Sequence, residues 1–240
     1  MIPSSLVTAA RELGAALKPE RFISNFIAYV YNPIDYAFGP HETYLRRFGK
    51  GKKRCLFLGM NPGPWGMAQT GVPFGEIDHV THWMGIVGEV GSPQKTHPKK
   101  PVHGFACTRS EVSGRRLWGL MKKRFPAADD FFTDHFVANY CPLLFLDEGG
   151  RNITPNKLLR EQREEIDSAC NVHLQRTVEI IRPDYLVGIG GYAEKKLRIL
   201  FKGDMPTLSI LHPSPASPRA NRGWEAEATK SLFESGVWSE

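Results

Sequence analysis

Four short apolar runs stand out along the chain: 55–58 (Cys-Leu-Phe-Leu), 136–138, Tyr185–Ile189 and 207–211. Runs of this length without alternation read as strands covered on both faces. Between them, apolar positions recur at helical spacing. Residues 5–17 put Leu6, Ala9, Leu13 and Leu17 on one face. A longer helix is predicted over 156–181, carried by Leu158, Leu159, Ile166, Ala169, Leu174, Val178 and Ile181. Arg182-Pro183-Asp184 ends it, because proline disfavours helix in the residue before it. Further helices are predicted over 115–123, 193–200 and 225–234. Strands alternating with helices predict a layered α/β fold around a mostly parallel sheet. No repeat, low-complexity stretch or linker divides the chain, so 1–240 reads as one domain.

The segments that follow the strands carry the chemistry. After the first comes GMNPGPWGMAQTGVPFG (59–75), with five glycines that let backbone approach a ligand closely. After the second comes Asn139-Tyr140-Cys141-Pro142-Leu143, after the third Gly190-Gly191-Tyr192, and after the fourth His212-Pro213-Ser214-Pro215. In a parallel sheet all four emerge at the carboxyl edge, where ligands bind. Asn61, Asn139 and His212 are therefore expected to converge.

Composition narrows the function class. The length of 240 residues and 41% hydrophobic content suit a sizeable core, and the 18 prolines and 23 glycines imply many ordered loops. No apolar run approaches the roughly 20 residues of a membrane span, and the N-terminus lacks a signal-peptide pattern. The chain is expected to be intracellular, and the Asn152-Ile153-Thr154 sequon is then accidental. The net charge is +6, with basic clusters at 50–54, 99–100, 115–116 and 122–124. That balance favours polyanionic partners, nucleic acid first, although solvated helix ends give the same pattern. Cysteines 55, 107, 141 and 170 form no C-x-x-C pair, which argues against structural zinc or an iron–sulfur cluster.

Each candidate has a plain structural reading beside the functional one. Asn61 either orients a water or a ligand carbonyl, or bonds its own turn. Phe74, stiffened by Pro73, is either a stacking platform or a core anchor. His212 either donates to a leaving group or is a strand-end structural residue. Its loop offers Ser214, Pro215, Ala216, Ser217, Arg219, Asn221 and Arg222 as DNA-backbone contacts on a stiff, projecting segment. His79, His82, His97 and His103 form a loose cluster that would serve a metal-dependent hydrolase, the alternative enzyme reading. Gly188-Ile189-Gly190-Gly191 is either an incomplete dinucleotide turn or tight strand–helix packing.

The motifs GMNPGPWGMAQTGVPFG and HPSPASPRANRGW, with the middle segment 139–143, resemble those of the single-strand-selective monofunctional uracil-DNA glycosylases, a branch of the uracil-DNA glycosylase superfamily. The resemblance implies a three-layer α/β fold with a central four-stranded parallel sheet flanked by helices. It implies a DNA-repair enzyme that excises uracil and some 5-substituted uracils, with base flipping and without metal, cofactor or strand cleavage. On it, Asn61 positions the attacking water and His212 stabilises the departing base. Phe74 stacks on the base, Asn139 reads its edge, and Met60 and Gly63 shape the pocket by backbone. The expected partner is uracil-containing DNA, bound by a monomer. Animal members carry arginine where this chain has Ala216, in the loop that wedges into the duplex, and Arg219 is the candidate substitute. A non-catalytic nucleic-acid-binding module on the same fold is the further alternative.

Overall fold

The computed structural model describes residues 5–239. Seven strands are found among them: β1 Tyr29–Tyr31, β2 Cys55–Gly59, β3 His135–Asn139, β4 Leu144–Leu146, β5 Asn152–Ile153, β6 Tyr185–Ile189 and β7 Thr207–Ile210. Helices α1 Leu6–Ala16, α2 Pro33–Tyr36 and α3 Phe38–Phe48 precede the first motif or flank β1. Helices α4 Met67–Thr70, α5 Val112–Arg124 and α6 Ala128–Asp134 connect β2 to β3. The long α7 Arg160–Ile181, then α8 Gly191–Phe201 and α9 Pro218–Glu234, complete the chain.

The main sheet has four strands in the order β3-β2-β6-β7, all parallel. Every residue of β2 is buried, as the unbroken apolar run requires of a strand covered on both sides. Helix α8 packs on β6, β7 and β2, α6 packs on β3, and α9 packs on β7. Helix α1 lies on α7 and α3. The apolar positions read from the sequence in these helices, among them Leu6, Leu13, Ile166, Leu174 and Ile181, are buried in one continuous core.

The strand order decides where a ligand can sit. From β2 the chain crosses to β3 on one side. It then returns to β6 on the other side and moves outward to β7. The crevice between β2 and β6 is thus a topological switch point, open at the carboxyl ends of the strands.

Three features depart from the expectations. A small antiparallel sheet, β1-β4-β5, lies beyond the main one. The helix expected from 156 begins at Arg160, after a 3₁₀ turn at Pro155–Lys157. The segment expected to project as far as Arg222 turns helical at Pro218 instead. Ser217 caps α9 by accepting the Ala220 N–H at 3.2 Å, and Pro218 fills the first turn, where a missing N–H costs nothing. Gly223 kinks this helix.

Candidate active site

Gly59 ends β2 and pairs in register with Asn139, the last residue of β3. The ladder runs on past both strands, with Tyr140 N–H donating to Gly59 O and Cys141 N–H to Met60 O, each at 2.9 Å. These bonds fix the start of the first motif against the middle one. A side chain at position 59 would meet Asn139 Oδ1 at 2.4 Å and the Phe74 ring at 2.5 Å, so only glycine allows both to close over this spot.

Phe74 is held in an unusual backbone conformation, φ 52°. Its carbonyl accepts from Trp118 Nε1 at 3.0 Å and from Glu76 N–H at 2.6 Å. Glu76 is itself buried and fixed. Burial would raise its carboxyl, but hydrogen bonds from His79 and Ser110 outweigh that and bring it down to about 2. The strain at Phe74 is thus sustained by a polar cluster beneath it. The ring sits 6.1 Å from that of His212, centroid to centroid.

His212 follows β7. Burial, the sole cause acting on it, pushes its imidazole down to about 4, so it is neutral at pH 7. Trp224 Nε1 donates to the preceding Leu211 carbonyl at 2.5 Å. Arg116, on α5, donates to the carbonyls of Pro213 (3.2 Å) and Ser214 (3.3 Å) and to Asn221 Oδ1 (2.8 Å). Asn221 in turn donates to Pro215 O at 2.9 Å. The histidine loop is therefore rigid.

Asn61 donates to Leu143 O at 3.2 Å, a contact 82 residues away rather than a bond within its own turn. Asn139 gives its amide N–H only to Met67 Sδ at 3.2 Å, and its Oδ1 is a buried acceptor with no partner among the described residues. Gly63 faces Glu111, whose carboxylate accepts the Trp65 N–H at 3.2 Å. Burial raises the Glu111 carboxyl, against that bond and the nearby Lys100.

A cleft of about 430 Å³ gathers these groups. Met60, Asn61, Gly63, Phe74, Asn139 and His212 all line it, with Ser214 and Pro215 at one end. Ala216 and Ser217 continue the loop beyond. Arg219 and Arg222 are not on that loop but on the first turns of α9, exposed, and Arg219 pairs with Glu227 at 2.7 Å. Asn221, also exposed, staples the loop to Arg116 and Pro215.

The four histidines of the alternative metal reading do not come together. His79 is bonded to Glu76, and His97 to the Glu148 carbonyl and the Lys99 N–H. Among the described residues, the one group with metal-ligand proximity, Glu76, Asp78 and His79, contains a single histidine. Of the glycines at the end of β6, Gly188 serves close packing, since a side chain there would strike the Glu194 backbone at 2.4 Å, whereas one at Gly191 would meet nothing within 4 Å.

Comparison with known proteins accounts for this arrangement. The family model of the uracil DNA glycosylase superfamily matches residues 46–233, a span that contains every lining residue above. The chain belongs to the uracil-DNA glycosylase superfamily. Within it, the chain is 48% identical to the single-strand selective monofunctional uracil DNA glycosylase of Bos taurus, over 89% of this chain and 80% of that one. It is likewise 48% identical to the Rattus norvegicus protein of the same description, over 88% and 77% of the two chains. The crystal structure of wild-type SMUG2 from Pedobacter heparinus shares the fold, with TM-score 0.67 at 16% identity over 99% of this chain and 98% of that one. The superfamily motifs were legible in sequence. Glu111 and Trp118, which hold those motifs in place, were not singled out, and Arg116 was read only as part of the basic pair 115–116, because each acts on a segment remote in the chain.

Proposed function

We propose that this protein is a monofunctional uracil-DNA glycosylase, which hydrolyses the N-glycosidic bond of uracil in DNA and leaves an abasic site. Membership of the superfamily and the 48% identity to named glycosylases support the reaction class. The observation that carries the site assignment is the unpartnered Oδ1 of Asn139, beside a clamped aromatic ring. A buried acceptor left empty costs about 1–3 kcal/mol, which a matching ligand N–H repays. The Asn139 amide offers that acceptor to uracil N3–H and its own N–H to O4. Phe74 supplies the stacking face.

In this reading the target nucleotide leaves the stack and enters the cleft, as glycosylases in general require. Negative charge grows on the base as its bond to the sugar breaks. His212 donates from its neutral ring to that charge, a contribution of about 100- to 1000-fold for one such donor. Asn61 positions the water that then attacks the electron-poor sugar carbon. The amide is no base, and none is needed when the sugar is already electrophilic. Ser214, Pro215, Ala216 and Ser217 form the tip that fills the gap in the stack, with Arg219 and Arg222 beside it. The enzyme acts as a monomer inside the cell. No helix among the described residues is long and apolar enough to cross a membrane.

Incubation with uracil-containing DNA in EDTA, followed by alkaline cleavage of abasic sites, tests the reading. Strand breaks at uracil are expected. Asn61→Ala should slow release by at least about 100-fold while DNA binding persists, since misplacing a reacting group is costly. Binding without release would favour the non-catalytic module, and loss of release in EDTA would favour a metal-dependent hydrolase.

A further inference from the structure

A second groove, of about 660 Å³, opens beside the cleft. Their linings come within two residues of each other at three separate points of the chain. Pro64, Glu111 and Asn152 line the cleft, while their near neighbours Trp65, Arg109 and Arg151 line the groove. It therefore prolongs the cleft on the side that Gly63 and Glu111 bound.

The groove is lined by Lys99, Lys100, Arg109 and Arg151, with no carboxylate side chain in its wall. Arg151 is balanced by Asp147 at 2.9 Å. Lys100 and Arg109 are held together on one indole instead, their charges 4.8 and 4.5 Å from the centroid of the Trp65 ring. Two cations gathered on one ring repel each other. Burial first and Arg109 second push the Lys100 ammonium down, with Glu111 opposing.

The scaffold holding them is rigid. Buried Gln69 donates to Pro64 O at 2.8 Å and Pro101 O at 2.9 Å, and accepts the His103 N–H at 2.8 Å. Tyr31 donates to Lys100 O at 2.9 Å and accepts the His97 N–H at 2.7 Å. The basic wall is thus tied by buried polar groups to the same motif that carries Asn61. Surface lysines that only solvate a turn need no such mounting.

We propose that the Trp65–Lys100–Arg109 groove is a second DNA-binding site, which takes the phosphodiesters of the target strand on one side of the flipped nucleotide. This rests on the glycosylase reading and extends it. The histidine loop holds the DNA at one end of the cleft and the groove holds the strand at the other. Phosphate oxygens add the counter-charge that Glu111 alone supplies to Lys100, and Trp65 holds the two donors on one face. The contact is to backbone, so it adds affinity without reading sequence.

The test is binding rather than turnover. The probe is a single-stranded oligonucleotide with one abasic-site analogue, followed by fluorescence anisotropy at several salt concentrations. Lys100→Gln with Arg109→Gln should make the log–log salt slope shallower by about 1.4, at roughly 0.7 per lost contact on a single strand. Lys100→Gln alone should remove about half of that, which keeps the test open should the double variant fail to fold. Between 50 and 200 mM salt the wild type should then lose about sevenfold more affinity than the double variant. Neutral methylphosphonates on one side of the abasic site should weaken the wild type and leave the double variant nearly unaffected. An unchanged slope, or equal sensitivity of wild type and variant to the methylphosphonates on both sides, would overturn the proposal. Uracil release by the wild type is scored separately. Its absence would remove the glycosylase reading without changing what the binding data say of the groove.

Discussion

Gly59→Ala adds one methyl group at the point where the two proposed base-contacting side chains meet. The added carbon would lie 2.4 Å from Asn139 Oδ1, and 2.5 and 2.7 Å from Phe74 Cε2 and Cζ. Contacts between carbon atoms relax only near 3.5–4.0 Å, so both side chains must withdraw, each by about 1 Å. Phe74 resists, because Trp118 and Glu76 hold its carbonyl and its backbone already sits at φ 52°. Asn139 resists as well, because it is paired to Gly59 in the sheet. The strain should lower folding stability by about 1–3 kcal/mol, the range for an overpacked core methyl. The larger effect should fall on catalysis, where a displacement of about 1 Å costs about 100-fold. Single-turnover excision on a single-stranded uracil substrate, with urea unfolding of the same preparation, separates the two. A folded variant that excises within about threefold of wild type would refute the reasoning, since the two side chains would then not need their present spacing.

Asn139→Asp should weaken uracil excision and improve the relative acceptance of cytosine, measured by competition between the two substrates; full uracil selectivity in Asn139→Ala would assign edge reading to another group. Replacing Arg219 and Arg222 together should flatten the salt dependence of duplex binding by roughly 0.9 per lost phosphate contact, with a larger loss on duplex than on single strands. Equal losses on both substrates would sink a role in opening the duplex. Folding stability should fall as pH is lowered from about 6.5 towards 4. Burial pushes His41, His135, His173 and His212 down to about 4, so the unfolded chain binds more protons throughout that window. Each group contributes up to about 3 kcal/mol, present in full above pH 6.5 and lost towards pH 4. Glu111, raised by burial, acts the other way but is one group against four. Glu76, brought down to about 2, adds its loss only at lower pH. Equal urea midpoints at pH 7 and 4.5 would contradict this.

The parallel sheet was legible because its strands are buried on both faces and so appear as unbroken apolar runs. The antiparallel sheet was not. Strands β1 and β4 are three residues long and β5 is two, too short for any period to rise above the background. Leu143-Leu144-Phe145-Leu146 is apolar enough, but it follows Pro142 and the middle motif and reads as loop. The helix start at Pro218 carried a signal that was outweighed: Ser then Pro is a cap and a first turn, yet the neighbouring prolines suggested extended chain. Asn61, Phe74, Asn139 and His212 were legible through their motifs, and the cleft brings them together. Their supports were not. Arg116 acts on a loop 97 residues away, and Trp118 on a carbonyl 44 residues away. Such contacts follow from packing and leave no local pattern.

The charges around the cleft bear on how such a reaction can run. Its one lining carboxylate, Glu111, is turned to the Trp65 N–H and backed by Gly63, so it holds the loop that carries Asn61. On the proposed assignment the water is therefore positioned by an amide, and deprotonating it contributes little to the barrier. The barrier must then fall on the leaving side, where charge grows on the base. A neutral His212 suits that task better than a cation. A cation would also attract the phosphates of any bound strand and so spend part of its interaction on the ground state. The half-buried neutral ring offers a dipole, whose interaction strengthens as the base becomes an anion. Burial keeps it neutral and water-poor, which also raises the worth of the hydrogen bond it gives. On the proposed assignment, the positive charge for binding DNA is carried outside the cleft, by Arg219, Arg222, Lys100 and Arg109. On that assignment, separating the two roles would let affinity be tuned by salt and strand type while Asn61, Asn139 and His212 govern the chemical step.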